Sequence, residues 1–295
     1  MDFIANLMTA EENPVTWAQT REQEGWQVLG CADHFFSPNK SFPHVWVTLA
    51  TMAAATTKVK LTTSFANNLF RSPVEFAQAS LQMQAVSHGR FEAGLGAGWE
   101  KAEAEGSSIR YPDPAERAGM FIEAAHIVRQ LFDTGQCEFT GDHYKISVPK
   151  IGPMPAEGSP PLVVSLGGPR TIKNIAPIAD RVEIKLFSKI TRNGAVDLPA
   201  MTSIPESDLH DLVAQIRDAN PTVPLSVFIL CSVGSDDRTK AVEKMLDGSF
   251  LGRFYGAPEK VAESMFALSE AGVDRVEVSP FTERSFAALA PFLFR

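Results

Sequence analysis

The stretch KVKLTTSFANNLFRSPVEFAQASLQMQAVSHGRFEAGLGAGW, from Lys58 to Trp99, decides the fold. Lys58–Ser64 alternates with period two, as a strand does. Ser72-Pro73 pairs a capping residue with proline at the first helical position and opens a helix to about Ser87. Phe91–Leu95 is a second run of strand length, and the glycine-rich turn Gly96-Ala97-Gly98 follows it. Strand, helix, strand is the unit from which parallel sheets are built, because parallel neighbours need a crossover between them.

Outward from this unit the same alternation fills the chain. Toward the N-terminus, Asp2–Leu7 reads as a strand, and Asn13-Pro14 opens a helix to Glu24 that Gly25 ends. A strand at Trp26–Ala32 and an alanine-rich helix at Val45–Thr56 complete that side. On the other side, Asp113-Pro114 starts a long helix ending near Gly135. Glu138–Ile146, with Gly141-Asp142 inside it, reads as a β-hairpin inserted after this fourth helix. Strands are predicted at Leu162–Leu166, Arg181–Leu186, Leu225–Val233 and Arg275–Ser279, with helices near 170–179, 206–219, 236–246 and 258–271. Roughly eight β/α units are the number that closes a (β/α)₈ TIM barrel. A doubly wound open sheet shares the alternation. No break in composition separates two halves, which favours one barrel domain over residues 1–295.

Composition narrows the function classes. Of 295 residues, 44% are hydrophobic and 21% charged, which excludes a disordered chain. Lys and Arg total 27 against 35 Asp and Glu, and no basic run occurs, so a nucleic-acid partner is not expected. Cys31, Cys137 and Cys231 are odd in number and far apart, and read as reduced thiols. The N-terminus has no basic n-region, and the least polar stretch, Val45–Thr57, is too short to span a bilayer. The expectation is a cytoplasmic protein with no membrane partner, acting on a small molecule. The six histidines form neither HxH nor HExxH, so no metal site is predicted, and neither Gly-x-Ser-x-Gly nor a P-loop is present.

In a barrel, functional groups gather at the carboxyl ends of the strands. There the second strand delivers Asp33 and His34, a carboxylate and an imidazole side by side. The pair reads either as acid–base chemistry or as cap and packing. Gly96-Ala97-Gly98 and Gly167-Gly168 each lie between a strand and a helix, where bare backbone N–H groups can face a phosphate and Arg170 can add a charged contact. The competing reading is that these glycines only supply tight turns. Phe35, Phe36, Phe65 and Trp99 cluster at the mouth, as wall of a flat-ligand site or as core.

Gly89-Arg90-Phe91-Glu92-Ala93-Gly94-Leu95-Gly96-Ala97-Gly98-Trp99 resembles the glycine-rich block of the bacterial luciferase-like monooxygenase superfamily. Gly25-Trp26 through Ala32-Asp33-His34-Phe35, Leu49–Ser64, Ser72–Ala77, Phe139–Tyr144, Gly167-Gly168-Pro169, Ala179-Asp180 and Gly256–Ala262 follow its pattern in order. The resemblance implies a barrel that binds coenzyme F420 or, alternatively, FMN at the carboxyl ends of its strands. In the F420-using branch, Asp33 and His34 would lie beside the deazaflavin ring, with His34 bonding the ring or moving a proton and Asp33 orienting it. A non-prolyl cis peptide is implied at Ser64–Phe65, against the ring face. Phosphate contacts would fall on Ala97 and Gly98, and on Gly167, Gly168, Pro169 and Arg170, with Phe35 and Trp99 beside the substrate.

Two departures from the family stand out. Trp99 occupies the position where sugar-phosphate dehydrogenases have a glutamate, which argues against that substrate class. Asp33-His34-Phe35 differs from the glutamate and paired histidines of the flavin enzymes, which tilts the reading toward F420. Hydride transfer to or from a small organic substrate is thus the leading expectation. A two-component monooxygenase using reduced FMN, O₂ and a separate reductase is the alternative, followed by a barrel that binds flavin without turnover. A homodimer is the family's usual state. Lys185 and Arg284 fall near strand ends, where either could meet an anionic group, although a solvated surface role is the favoured reading.

Overall fold

The computed structural model describes residues 1–37, 40–191, 194–195 and 199–294. Among these, eight parallel strands form a closed ring: β1 (Asp2–Leu7), β2 (Val28–Cys31), β3 (Lys60–Thr63), β4 (Phe91–Gly96), β5 (Leu162–Leu166), β6 (Arg181–Ile184), β7 (Leu225–Val233) and β8 (Arg275–Pro280). Each strand pairs with its neighbours in chain order, and β8 returns to β1 from Asp2↔Arg275 to Ala5↔Val278. The sheet is therefore a barrel and not an open doubly wound sheet. Closure also sets β2 and β6, four strands apart, on opposite sides of the barrel.

The helices around it are α1 (Pro14–Glu24), α2 (Val45–Ala55), α3 (Pro73–Val86), α4 (Lys101–Gly106), α5 (Pro114–Thr134), α6 (Pro169–Ile175), α7 (Glu206–Ala219), α8 (Asp237–Met245), α9 (Pro258–Ala267) and α10 (Arg284–Leu293). Three of them start at cap-proline signals read in the sequence. The Asn13 side chain accepts from the N–H of Val15 and Thr16, Ser72 from that of Glu75, and Asp113 from those of Ala115 and Glu116. The helix predicted near 170–179 is shorter, ending at Ile175 in a 3₁₀ turn over Ala176–Ile178, where Pro177 removes an N–H. β3 begins two residues later than predicted. Glu22 Oε1 accepts the N–H groups of Thr57, Lys58 and Val59 at 3.0, 2.7 and 3.1 Å, so those amides serve the loop instead of the ladder.

The hairpin insertion pairs Cys137–Thr140 with Lys145–Val148. The Glu123 carboxylate on α5 holds its turn, accepting the N–H groups of Asp142, His143 and Tyr144 at 2.8 to 3.0 Å. At the amino end of the barrel, Arg275 and Glu92 form a buried ion pair, with Lys60 adding a second cation at 3.1 Å. Burial alone would lift the Glu92 carboxyl, but Arg275 and Lys60 hold it below the usual carboxylate range. That end is filled; the barrel opens at the other. Among the described residues, no helix is long and apolar enough to cross a membrane.

Candidate active site

At the carboxyl ends of the strands lies a cavity of about 330 Å³, within the range of small-molecule sites. β2 runs into Ala32-Asp33-His34, and β3 into Ser64-Phe65, whose peptide bond is cis, at the position implied by the family resemblance. β4 runs into the glycine-rich turn. Two of its glycines are explained by close approach of backbone. A Cβ on Gly94 would sit 2.0 Å from the Thr63 carbonyl oxygen, and one on Gly98, whose φ is +78°, would sit 2.2 Å from Asn67 Oδ1. Here the tight-turn reading accounts for the spacing by itself.

The Asp33 carboxylate is buried and already engaged. It takes both terminal nitrogens of Arg71, one at 3.0 Å, and the Asn67 N–H at 2.7 Å. His34 is held by a different acid. Its Nδ1 lies 2.8 Å from Oε2 of Glu103 on α4, a residue only 1% exposed that also accepts the N–H of Phe35 and Phe36. A carboxylate only accepts, so Nδ1 carries the hydrogen and Nε2 is left as the ring's remaining polar atom. Trp99 packs edge-on to the imidazole at 5.7 Å and Phe42 lies tilted at 4.9 Å. The acid bonded to His34 is therefore Glu103 and not Asp33.

The far wall comes from β5 to β8. Ser165, Glu183, Lys185, Phe187, Phe228 and Leu230 line it. Glu183 is 2% exposed and in hydrogen-bond contact with Glu277, which accepts from Asn6 Nδ2 at 3.0 Å and from the Ser64 hydroxyl. Oε2 of each acid has no hydrogen-bond partner among the described residues, and a proton on one of the two carboxyls would let them bond to each other. Burial and then the neighbouring Glu277 push Glu183 well above the usual carboxylate range, and burial raises Glu277 as well.

Of the residues singled out in the sequence, Asp33, His34, Ser64, Phe65, Ala97, Gly98 and Trp99 come together on this cavity. Phe35, Gly167, Gly168, Pro169 and Arg170 do not line it. Phe35 is 45% exposed and stacks on Phe70 at 4.2 Å. Gly168 and Pro169 cap and open the short helix α6 beyond β5, while Arg170 donates to the Ala115 carbonyl on α5. Lys185, read as a surface residue, lines the cavity. Sequence reading passed over Glu103, Glu183 and Glu277. For the last two a signal existed: Arg-Val-Glu-Ile and Arg-Val-Glu-Val each put a lone acid inside an apolar strand, which in a barrel means an inward-facing charge.

The family model of luciferase-like monooxygenases matches residues 6–194, well over half of the chain. The chain belongs to this family. Among curated relatives of the luciferase-like chain, an F420-dependent glucose-6-phosphate dehydrogenase of Amycolatopsis mediterranei (strain U-32) is 31% identical over 163 residues, covering 54% of this chain and 49% of the relative. The chain thus spans about half the length of that relative. Two solved structures share the luciferase-like fold at a TM-score of 0.76. An F420-dependent secondary alcohol dehydrogenase in complex with an F420-acetone adduct is 16% identical, covering 100% of both chains. The monooxygenase RslO1 from Streptomyces bottropensis is 17% identical, covering 99% of this chain and 98% of that one.

Proposed function

We propose that the chain is a coenzyme F420-dependent oxidoreductase that moves a hydride between the deazaflavin and a small organic substrate. The observation that carries this reading is His34, held through Nδ1 by buried Glu103 at a cavity walled by Phe65 and Trp99. The cavity fits a flat ring: it is bounded by aromatic faces, it is open at the strand ends, and glycines bring its backbone walls close. When bound, the deazaflavin supplies a two-electron hydride carrier. Phe65 and Trp99 would flank the ring, with the backbone at Ala97 and Gly98 turned toward its phosphate-bearing tail. Gly167, Gly168, Pro169 and Arg170 would be reached only by a tail that leaves the cavity over β5. His34 would hold or move the proton that accompanies hydride transfer, and the apolar wall would exclude water.

Curated relatives near 30% identity whose names state F420 dependence support this choice of cofactor. A reduced-FMN monooxygenase with a separate reductase is the second reading, supported by the equal structural likeness to a monooxygenase. A homodimer accompanies both. Side-by-side calorimetric titration of the cofactor-free protein with F420 and FMN tests the choice. Tight binding of F420 alone is expected; preference for FMN would transfer the proposal to the monooxygenase.

A further inference from the structure

We infer that Lys185 is the anchor of a carboxylate-recognition subsite, so that the molecule entering this cavity beside the cofactor is an organic acid with a flat, apolar body. The inference rests on the cavity being the substrate site, as proposed above, but not on which cofactor binds there.

Period-two alternation puts Glu183 and Lys185 on the same inward face at the end of β6, across the barrel from Asp33 and His34. Both line the cavity. Of the ionic groups opposite, Asp33 is matched with Arg71 and His34 with Glu103, while Glu100 lines the cavity as a further acid. The Lys185 ammonium, by contrast, has neither a hydrogen bond nor an ion pair among the described residues. A cation withdrawn from bulk water without an acceptor is costly, and the cost is relieved when a ligand brings one. Glu183 does not fill that role, since no ion pair joins it to Lys185 and its carboxyl lies against Glu277.

The groups acting on Lys185 are Glu183 on its own strand, Arg117 from α5 and, behind Glu183, Glu277 from β8. Burial, followed by the Arg117 guanidinium, brings the Lys185 ammonium down to about 8, so it is still mostly charged at neutral pH. Three N–H donors on one positive charge favour an anion over a neutral carbonyl, because charge-assisted hydrogen bonds are about twice as strong. Beside Ser165, Glu183 and Thr191, the lining on this side carries the apolar Phe187, Phe228, Leu230 and Phe65. That combination, one half-buried cation in a wall rich in aromatic and aliphatic side chains, describes a receptor for an aryl or unsaturated carboxylate.

Calorimetry of the cofactor-free, full-length protein with benzoate and its neutral isostere benzamide tests the subsite. Wild type is expected to bind benzoate at least tenfold more tightly than benzamide. Lys185→Met, which keeps the length of the side chain, is expected to abolish that preference while leaving benzamide affinity unchanged, and Lys185→Arg to retain it. A thermal unfolding trace for each variant establishes that it is folded. Equal affinity of wild type for the two probes, binding of neither, or a benzoate preference that survives in folded Lys185→Met would overturn the inference. Failure of F420 to bind while the benzoate preference stands would overturn the cofactor reading alone.

Discussion

On the β2 side of the cavity His34 leans on Glu103 and Asp33 on Arg71, each at hydrogen-bond distance; on the β6 side Lys185 has no such partner among the described residues and Glu183 lies against Glu277. In the first wall His34 and Asp33 are both matched. Its geometry is imposed by acids that are 1% and 6% exposed and that also bind loop backbone, Glu103 to Phe35 and Phe36 and Asp33 to Asn67. The second wall contains a charge that only a ligand can match. The difference suggests a division of labour, in which the matched wall holds reacting groups in place and the unmatched wall selects what is brought to them.

The largest effect is expected where the matched wall meets the chemistry. His34→Ala should lower kcat about 10²- to 10⁴-fold, the range for loss of a positioned proton-transfer group, with little change in the Kd for F420. Steady-state kinetics alongside a binding titration would check this; equal losses in both would show that the wall binds without reacting. Next, Asp33→Ala leaves Arg71 with Glu75 as its remaining acid and the buried Asn67 N–H without its acceptor, which should remove about 1–3 kcal/mol of stability in urea unfolding. A loss under about 1 kcal/mol would mean that this wall is not built on its ion pairs.

The smallest effect concerns the unmatched wall and its dependence on pH. Lys185 in the folded chain titrates at about 8 against an ordinary 10.5, so between these values the unfolded chain holds a proton that the folded chain has released. Stability gains from this group as pH rises through that window, because the unfolded state binds more protons there. Below about 8 the folded lysine is charged and carries its burial penalty. Thermal unfolding of wild type minus Lys185→Met at pH 8, 9 and 10 should show the difference growing in favour of wild type. A difference that is flat with pH would place Lys185 in water and erase the contrast between the walls.

Much of the architecture was legible because it rests on local chemistry. Cap-proline pairs at Asn13-Pro14, Ser72-Pro73 and Asp113-Pro114 start helices through contacts within three residues, and the period-two runs between them are strands whatever the rest of the chain does. The β2 wall was legible for the same reason, since Asp33-His34 and the Gly94-Gly96-Gly98 spacing are contiguous in the chain. Helix α4 was missed, and with it Glu103. Nothing local distinguishes that acid from Glu100 and Glu105 on either side; only the position of His34, 69 residues earlier, makes it the one that is buried and bonded.

By itself, then, the sequence determined the alternation of strands and helices, the count of β/α units and the family to which the chain belongs. Barrel closure decided the rest. Glu183 and Glu277 lie 94 residues apart and meet only because β6 and β8 both point acids inward across a ring that β8 and β1 complete. Lys185 is a cation near a strand end in the sequence and an unmatched charge in a cavity only once Phe187, Phe228 and Leu230 have closed around it. The physical reason is range: caps, turns and periodicity act over a few residues, whereas desolvation and charge pairing depend on every strand that shares the interior.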